Sequence, residues 1–171
     1  MSPVTVRSYR PSDHRAGRRL WGELNRRHTQ MYGPFTRHGN PDEDGGAFEE
    51  YLARLDLAGL WVAEDPEDGV VGLVGLIMRG RAGEVEPVVV APTHRHQGIG
   101  KTLLRHVAHA ASKRGMISLT ISPASRNIEA IRCLHAAGYD VVSSIELTLD
   151  LNRHQHEWQD GLELHELQFR S

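Results

Sequence analysis

A turn between positions 90 and 102 combines glycine and basic residues in a spacing that suits phosphate binding. Arg95, Gly98, Gly100 and Lys101 follow a β-branched run and precede an amphipathic segment, so the turn opens onto the start of a predicted helix. The first backbone N–H groups of a helix lack intrahelical partners and lie at the positive end of its dipole. Glycine leaves room for phosphate oxygens, and the basic side chains add compensating charge. The sequence therefore predicts a pyrophosphate-binding turn.

Two widespread phosphate loops do not fit this turn. Residues 100–102 match the end of the nucleoside-triphosphate loop G-x-x-x-x-G-K-[ST], but that loop requires glycine at the position of Arg95. The dinucleotide fingerprint G-x-G-x-x-G begins at Gly98 but requires glycine at the position of Leu103, near the start of a βαβ unit. The turn is thus predicted to belong to another class of phosphate-binding site.

The remaining pattern, Arg95-x-x-Gly98-x-Gly100 preceded by Val90-x-Pro92, resembles the acetyl-CoA motif of the GCN5-related N-acetyltransferases. Asn127-x-x-Ala130 followed by Gly138-Tyr139 is similar to the family's second conserved block, a helix beside the cofactor. The resemblance covers residues 1–151 as one domain. It implies an α/β fold with a mixed, mostly antiparallel twisted sheet, a central splayed parallel strand pair, and helices on both faces.

The same resemblance implies that acetyl-CoA is the co-substrate, with its pantetheine arm in the gap between the splayed strands. The backbone N–H of Val90 would stabilise the oxyanion that forms at the thioester carbonyl. Asn127 would bond the cofactor, cap its own helix, or do both. The implied cofactor-binding residues are Val88, Val89, Val90, Arg95, His96, Gln97, Gly98, Ile99, Gly100, Lys101, Thr102 and Asn127.

Two glutamates on the strand before the turn are candidates for the general base. Acetyl transfer to an amine needs a neutral nitrogen, whereas an alkylammonium has a pKa of about 10.4. Glu84 and Glu86 lie two residues apart, so in regular β geometry both side chains project from one face. Family members carry a basic glutamate at either position, and Glu86 is favoured over Glu84. An ordinary ion pair on an exposed face is the alternative.

The chain departs from the family at the general acid. Many relatives place a tyrosine seven residues after the asparagine, where this chain has Leu134. Because a thiol has a pKa near 8.5, the CoA thiolate can leave without a strong acid. His135 and Tyr139 are possible substitutes. The predicted function is therefore N-acetyl transfer to a primary amine by direct attack in a ternary complex, and the alternative is an acyl-CoA-binding sensor or pseudoenzyme without turnover.

Composition and charge favour a cytoplasmic enzyme over several other classes of protein. The chain has 171 residues and a formal net charge of −2, which argues against general nucleic-acid binding. It has neither a secretory signal pattern nor the roughly 18 consecutive apolar residues needed to span a membrane. Cys133 is the only cysteine and is predicted to pack in the core. Eleven histidines lack the spacing of a recognised zinc site, so no metal is predicted.

The predicted secondary structure places these residues at the centre of the domain. Strands are predicted at 4–9, 60–64, 70–78, 83–90 and 117–121, with a long final strand at 141–151. Helices are predicted at 12–28, 48–57, 98–114 and 127–137. The strand at 117–121 should lie parallel to 84–90, because a helix connects them. A loop is predicted at 31–46.

The acceptor and the C-terminal residues are less defined by the sequence. Acidic residues of the predicted loop and the helix after it could attract a cationic small-molecule or protein amine, or could simply be solvated: Asp42, Glu43, Asp44, Glu49 and Glu50. Residues 152–171 are too apolar for a free tail. They are predicted to be ordered, packing on their own domain or crossing to a partner as the arm of a homodimer.

Overall fold

The computed structural model describes residues 4–32, 47–55, 59–151 and 158–171. This part of the chain contains seven strands and four helices, and short 3₁₀ turns occupy Pro11–Asp13 and Pro92–His94. The strands are β1 Thr5–Ser8, β2 Leu60–Asp65, β3 Gly69–Arg79, β4 Ala82–Val90, β5 Ser118–Thr120, β6 Asp160–Leu164 and β7 Leu167–Arg170. The helices are α1 His14–Tyr32, α2 Ala47–Arg54, α3 Ile99–Lys113 and α4 Ile128–Ala136.

Five strands form one sheet in the order β1-β2-β3-β4-β5. The first four pair antiparallel, and β4 pairs parallel with β5. Parallel pairing is limited to Ala82–Glu84 against Ser118–Thr120, so β4 and β5 separate beyond Glu84. The predicted fold class is confirmed, but the splayed parallel pair lies at one edge of the described sheet and not at its centre.

Each face of this sheet carries its own hydrophobic core. On one face α3 packs through Leu103, Leu104 and Val107 against Val74, Leu76 and Val85 of the sheet. On the other face α1 and α2 supply Leu20, Trp21, Phe48 and Tyr51, which pack on Leu60, Val62 and Leu73. β3 is buried along most of its length, as expected for the central strand of a sheet covered on both faces.

Most predicted elements are confirmed, with shifts of a few residues at their ends. The first helix is longer than predicted. It continues through Met31 and Tyr32, which the sequence predicts to lie in the loop. A 3₁₀ turn precedes it, in which the buried Asp13 carboxylate accepts from the backbone N–H of Arg10 at 2.8 Å. The second helix ends at Arg54, three residues earlier than predicted.

The predicted final strand at 141–151 is wrong. These residues form no strand in the structure and are exposed along almost their whole length. The alternating apolar pattern satisfies the local preference of a strand, but a strand also needs a hydrogen-bonded neighbour, and neither sheet supplies one.

β6 and β7 form an antiparallel hairpin within the predicted C-terminal extension. Arg126 links this hairpin to the domain: its guanidinium donates to the backbone oxygens of Met31 and Ser171. Residues 152–157 lie outside the described residues, as do Asp42, Glu43 and Asp44 of the predicted acidic loop. No helix in the described ranges is long and apolar enough to cross a membrane.

Candidate functional site

The central feature of the site is the cleft where β4 and β5 separate. Ala91 donates its backbone N–H to Val71 of β3 at 2.8 Å. Because successive N–H groups of a strand point to opposite sides, those of Val90 and Val88 point away from β3, toward the side on which β5 has diverged. The cleft wall therefore presents backbone groups that an amide-bearing ligand could pair with, as a strand would.

Val89 does not belong to this wall. Its position in the β3–β4 ladder opposite Leu73 turns its backbone toward β3, and its side chain is buried in the core formed with α1 and α2. The alternation of the strand thus gives the backbone groups that face away from β3 to Val88 and Val90, and a contact of Val89 with the cofactor stays a prediction that this register does not favour.

The turn after β4 leads into an N-terminus of α3 that no side chain caps. Gly98 occupies the N-cap position in the left-handed conformation, with φ of 80°. Thr102 is the first residue to donate an intrahelical bond, to the Gly98 carbonyl at 3.0 Å, which leaves the N–H groups of residues 99–101 without helical partners. His96 also has a positive φ, 62°, a conformation that costs energy in a non-glycine residue and clusters at ligand-binding turns.

Gly100 leaves space in front of these N–H groups. A Cβ atom placed there would approach only Cys133 Sγ at 3.7 Å and Val90 Cγ2 at 4.0 Å, which is ordinary van der Waals distance. Cys133 is half-buried against the core, close to its predicted placement, and lies beside the turn. A longer side chain at position 100 would project over the helix N-terminus.

Arg95 lies at the turn, but its side chain is engaged elsewhere in the protein. The guanidinium donates to Glu23 of α1 at 2.9 Å and to the Val90 carbonyl at 3.2 Å. These contacts fasten the turn to α1 and to the end of β4. In this structure Arg95 therefore positions the turn, and its contact with a pyrophosphate stays a prediction.

The remaining predicted turn residues divide between ligand-facing and structural positions. Lys101 is exposed in the first turn of α3, whereas Ile99 is buried and anchors that turn in the core. Gln97 donates its side-chain amide to Thr93 at 3.3 Å, and the Thr102 hydroxyl donates to Gly98 at 3.2 Å. Both bonds stabilise the conformation of the turn.

Asn127 caps α4, which was one of its two predicted roles. Its side-chain oxygen accepts from the Ala130 N–H at 3.1 Å and from the Arg27 guanidinium at 3.2 Å. Arg27 also pairs with Glu129 and lowers the pKa of that carboxyl. With the oxygen engaged twice, the side-chain NH₂ is the group of Asn127 that could donate to a ligand.

A pocket of about 380 Å³ lies between the end of α1 and the start of α4. It is adjacent to the turn, because Arg95 contributes to its wall together with Asn127. The other lining residues are Arg27, Gln30, Met31, Arg126, Ile128 and Glu129. At this pocket, α1 from one face of the sheet therefore approaches α4 from the other face.

The two candidate glutamates have different surroundings. Glu84 pairs with Arg79 at 3.2 Å, as the alternative interpretation of an exposed ion pair requires. The Glu86 carboxylate makes neither a hydrogen bond nor an ion pair with any residue that the structure describes. Glu86 is therefore the better placed of the two to accept a proton.

The regular β geometry assumed for these glutamates is interrupted between them and the turn. Val85 pairs with Leu76 and Val88 pairs with Val74, so β4 carries one extra residue opposite Gly75, and the Glu86–Pro87 peptide is cis. The two-residue periodicity does not extend through this bulge.

The sequence analysis missed two residues that shape this bulge. Tyr51 of α2 is fully buried, and its hydroxyl donates to the Glu86 carbonyl. A Cβ atom at Gly75 would lie 1.8 Å from that hydroxyl and 2.3 Å from the same carbonyl, so only glycine fits. Burial and the nearby Glu86 charge raise the pKa of Tyr51. Neither residue stands in a recognisable motif, because their contact joins segments far apart in the sequence.

His135 and Tyr139, the two possible substitutes for the missing general acid, have different surroundings in the structure. Leu134 of α4 is buried in the core, whereas the next residue, His135, is exposed. The Tyr139 hydroxyl is buried and has no hydrogen-bond partner among the described residues, and burial raises its pKa. Tyr139 packs against the same core cluster as Val88 and Val90, whereas His135 is exposed.

One group of possible metal ligands occurs in the described ranges, and it lies outside the cleft. The ligand atoms of Asp65, Asp68 and His94 lie within 4.8 Å of one another. Asp65 already accepts from the backbone of Glu67 and Asp68 in the β2–β3 turn, and His94 pairs with Asp68 at 3.1 Å. These hydrogen bonds and this ion pair explain why the three side chains lie close together.

Comparisons with known proteins agree with this geometry. Residues 23–139 match the family model described as Acetyltransferase (GNAT) family. Streptothricin acetyltransferase from Streptomyces lavendulae is 31% identical over 101 residues, which are 59% of this chain and 52% of that protein. The chain therefore spans about half the length of this curated relative.

Two solved structures share the fold. An acetyltransferase of the GNAT family from Staphylococcus aureus superposes with a TM-score of 0.64 at 16% identity, covering 86% of this chain and 95% of that one. N-acetylglutamate synthase from Neisseria gonorrhoeae, solved with coenzyme A and N-acetyl-glutamate, gives 0.55 at 20% identity, covering 77% of this chain and 28% of that one.

Proposed function

Because the chain belongs to the acetyltransferase (GNAT) family, we propose that it transfers the acetyl group of acetyl-CoA to a primary amine by direct attack. The observation that carries this proposal is the cleft between β4 and β5, bordered by the free N–H groups of Val88 and Val90 and ending at the uncapped start of α3. Family members use acetyl-CoA, and the fold neighbour from Neisseria gonorrhoeae was solved with coenzyme A.

The residues present fit this co-substrate. The N–H groups of Gly100 and Lys101, together with the Lys101 ammonium, would hold the pyrophosphate. Val88 would pair with the pantetheine amides, and the N–H of Val90 would hold the oxygen of the acetyl carbonyl. Acetyl-CoA supplies an acetyl group activated as a thioester.

The protein's own part in the chemistry is to remove a proton from the acceptor. Glu86 would take it, directly or through a water, because its carboxylate is not neutralised by a described cation as Glu84 is by Arg79. The amine nitrogen can then form the new C–N bond while the C–S bond breaks, and the sulfur leaves as a thiolate. We favour the Tyr139 hydroxyl over His135 as the donor for that thiolate, because it is buried without a described hydrogen-bond partner and packs against the same core as Val88 and Val90.

The acceptor would be a cationic small molecule or a protein amine. The name of the relative from Streptomyces lavendulae makes streptothricin the first compound to test. Glu50 at the start of α2 and Glu86 of β4 form no ion pair with a described residue, unlike Glu49 and Glu84, so their carboxylates would attract a positively charged amine.

The test begins with calorimetric titration of acetyl-CoA into the wild type and Gly100→Glu. The introduced carboxylate would lie over the helix N-terminus, so we expect binding only by the wild type. Ala108→Glu is the matched control, because it adds the same side chain to an exposed position of the same helix. No binding by the wild type would refute the acetyl-donor assignment.

A panel of amines that includes streptothricin, read by release of free thiol, then tests transfer. Product formation with any amine would establish the enzyme. A second candidate, an acyl-CoA-binding protein without turnover, is favoured by the buried Leu134 in place of the acid; binding of acetyl-CoA without thiol release from the whole panel would support it.

A further inference from the structure

The positive charge of this chain is concentrated in one stretch of the sequence. Residues 87–128 contain six of the 20 lysines and arginines and four of the 11 histidines, but none of the 22 aspartates and glutamates. This stretch holds the end of β4, the whole of α3 and the turn between them. The part of the protein that leads away from the proposed phosphate site is therefore basic, although the whole chain has a net charge of −2.

Four basic side chains form a row along α3. Lys101, Arg105, His109 and Lys113 follow one another at four-residue spacing, and all four are exposed. Residues four apart are neighbours on the surface of a helix, so these side chains form one continuous row, which we call the α3 stripe. The stripe begins in the first turn of the helix and extends over about 18 Å, at a rise of about 1.5 Å per residue.

The α3 stripe has no counter-charge in the part of the chain that the structure describes. The side chains of Lys101, Arg105 and Lys113 form neither an ion pair nor a hydrogen bond with another described residue. The arginines of α1 instead pair with glutamates: Arg18 with Glu49, Arg26 with Glu23 and Arg27 with Glu129. Because like charges four residues apart on a helix repel each other, an acidic partner would stabilise the stripe.

The residues around the stripe suit a protein partner better than a membrane. The other exposed residues of α3 are Ala108 and Ser112, which are small. A helix that lies in a membrane interface needs large apolar side chains on its inserted face, and the exposed face of α3 has none. An acidic helix can present carboxylates at the same four-residue spacing, so its charges would complement those of the stripe.

The position of the stripe relates it to the acyl donor. Lys101 belongs both to the stripe and to the helix N-terminus that we propose holds the donor's phosphates. The part of a donor beyond its phosphates would therefore emerge beside the stripe. In CoA that part is a nucleoside with a single further phosphate, which can neutralise only the nearest cations. The stripe is longer than CoA alone requires.

We propose that the α3 stripe docks an acidic carrier protein that bears its acyl group on a phosphopantetheine arm. This inference rests on the acetyl transfer proposed above and adds a second class of donor to it. The carrier's phosphate would occupy the helix N-terminus, its arm would lie in the cleft, and its acidic helix would lie along α3. On transfer, the C–N bond to the acceptor forms and the C–S bond breaks. The thiolate stays on the carrier, and the amine proton passes to Glu86.

The experiment measures by calorimetry the binding of an acidic acyl carrier protein to the full chain. The apo form of the carrier lacks the arm and tests the stripe alone, whereas the acetyl form tests the stripe and the cleft together. We expect the wild type to bind the acetyl form more tightly than the apo form. Both affinities should fall at high ionic strength, because salt screens exposed charges.

Arg105→Glu/Lys113→Glu reverses two charges of the stripe that lie away from the helix N-terminus. We expect its affinity for the acetyl-carrier to fall about tenfold, because two exposed ion pairs are lost. Its Kd for acetyl-CoA should stay unchanged, which also shows that the variant is folded. Arg15→Glu/Arg54→Glu is the matched control, because it reverses two exposed arginines of α1 and α2 that form no ion pair with a described residue. The control should bind the carrier as the wild type does.

Arg105→Gln/Lys113→Gln keeps the proposal testable should the charge reversal prevent folding, since it only removes the two charges. A wild type that binds acetyl-CoA but not the carrier would overturn the proposal, as would an equal loss of affinity in the stripe variant and the control. In the amine panel, product from acetyl-CoA but none from the acetyl-carrier would overturn the donor role.

Other partners of the stripe are outcomes of the same design. Binding of phosphatidylglycerol vesicles or of a single-stranded oligonucleotide through Arg105 and Lys113, without binding of the carrier, would assign the stripe to that partner and refute the proposal. A wild type that binds neither acetyl-CoA nor the carrier would instead refute the proposed acetyl transfer itself.

Discussion

The residues of the cleft differ in their contacts, and these contacts indicate a different role for each residue. Val88 and Val90 present backbone groups, Gly100 leaves space, and Arg95 holds the turn through Glu23. Glu84 is neutralised by Arg79, whereas Glu86 has no such described partner. This difference is the reason that Glu86, rather than Glu84, is proposed as the general base.

We expect Glu86→Gln to lower kcat by about 10²- to 10⁴-fold, the usual contribution of a positioned acid or base. The affinity for acetyl-CoA should be unchanged, because the site proposed for the cofactor does not use this side chain. Thiol release and calorimetry measure the two quantities.

Glu84→Gln is the control for this change, since it removes the same charge two residues away. Its kcat should fall much less, because its carboxylate already pairs with Arg79. Equal losses in the two variants would argue against Glu86 as the base.

At the scale of the elements, short polar contacts place the helices around the cleft. Asn127 begins α4 beside the turn, and Asp13 joins β1 to α1. Asn127 combines this structural bond with a position beside the pocket, so substitutions there must separate the two effects.

For Asn127, replacement by Asp separates capping from cofactor binding. The aspartate keeps an oxygen for the Ala130 N–H and for Arg27, so stability should be retained, but it lacks the NH₂ donor. We expect weaker acetyl-CoA binding by calorimetry at nearly unchanged unfolding free energy.

Asn127→Ala should lose both properties, with destabilisation of about 1 kcal/mol from the missing cap. If Asn127→Asp binds acetyl-CoA as tightly as the wild type, the residue acts only as a helix cap.

Asp13 makes the stability of the β1–α1 junction depend on pH. Two hydrogen bonds from the Arg7 guanidinium, at 2.7 and 3.0 Å, hold the pKa of this buried carboxyl below its ordinary value. Its contribution is therefore complete above about pH 3.9 and is lost as the pH falls through the lower folded-state pKa.

Asp13→Asn should reduce the free energy of unfolding at pH 7 by about 1.5–3 kcal/mol, as measured by urea denaturation. The difference from the wild type should shrink in strong acid, where Asp13 is protonated. Glu64→Gln tests the more exposed partner of the same guanidinium and should cost less. A pH-independent difference for Asp13→Asn would contradict this account.

At the scale of the whole molecule, the cleft lies between two halves. Each half consists of one face of the sheet with the helices and the hydrophobic core on that face. One core lies under α1 and α2 and the other under α3 and α4. Arg27, Arg95 and Arg126 connect these halves at the pocket beside the turn. A ligand in the cleft would contact both halves and should stabilise the molecule as a unit.

We expect acetyl-CoA to raise the midpoint of thermal unfolding of the full chain. A ligand at 100 times its Kd adds about 2.7 kcal/mol to the free energy of unfolding when it binds only the folded state. The shift, followed by differential scanning fluorimetry, should be absent in Gly100→Glu and present in Ala108→Glu. A shift of the same size in Gly100→Glu would place the cofactor elsewhere.

The amino-acid sequence by itself determined the features that depend on local spacing. The turn at 95–101, the strand before it, the helices around it and the cap at Asn127 could all be predicted, because glycine placement, apolar periodicity and capping act over a few residues. The parallel relation of β4 and β5 also followed from the order of elements, since a helix connects them.

Only the tertiary structure decided the features that depend on contacts between distant segments. The bulge at Glu86 exists opposite Gly75 and Tyr51, the Arg95 side chain turns to Glu23, and Val89 faces β3 because of the register. The segment 141–151 shows the same limit: its alternation is local, but a strand forms only where a neighbour supplies the other half of each hydrogen bond.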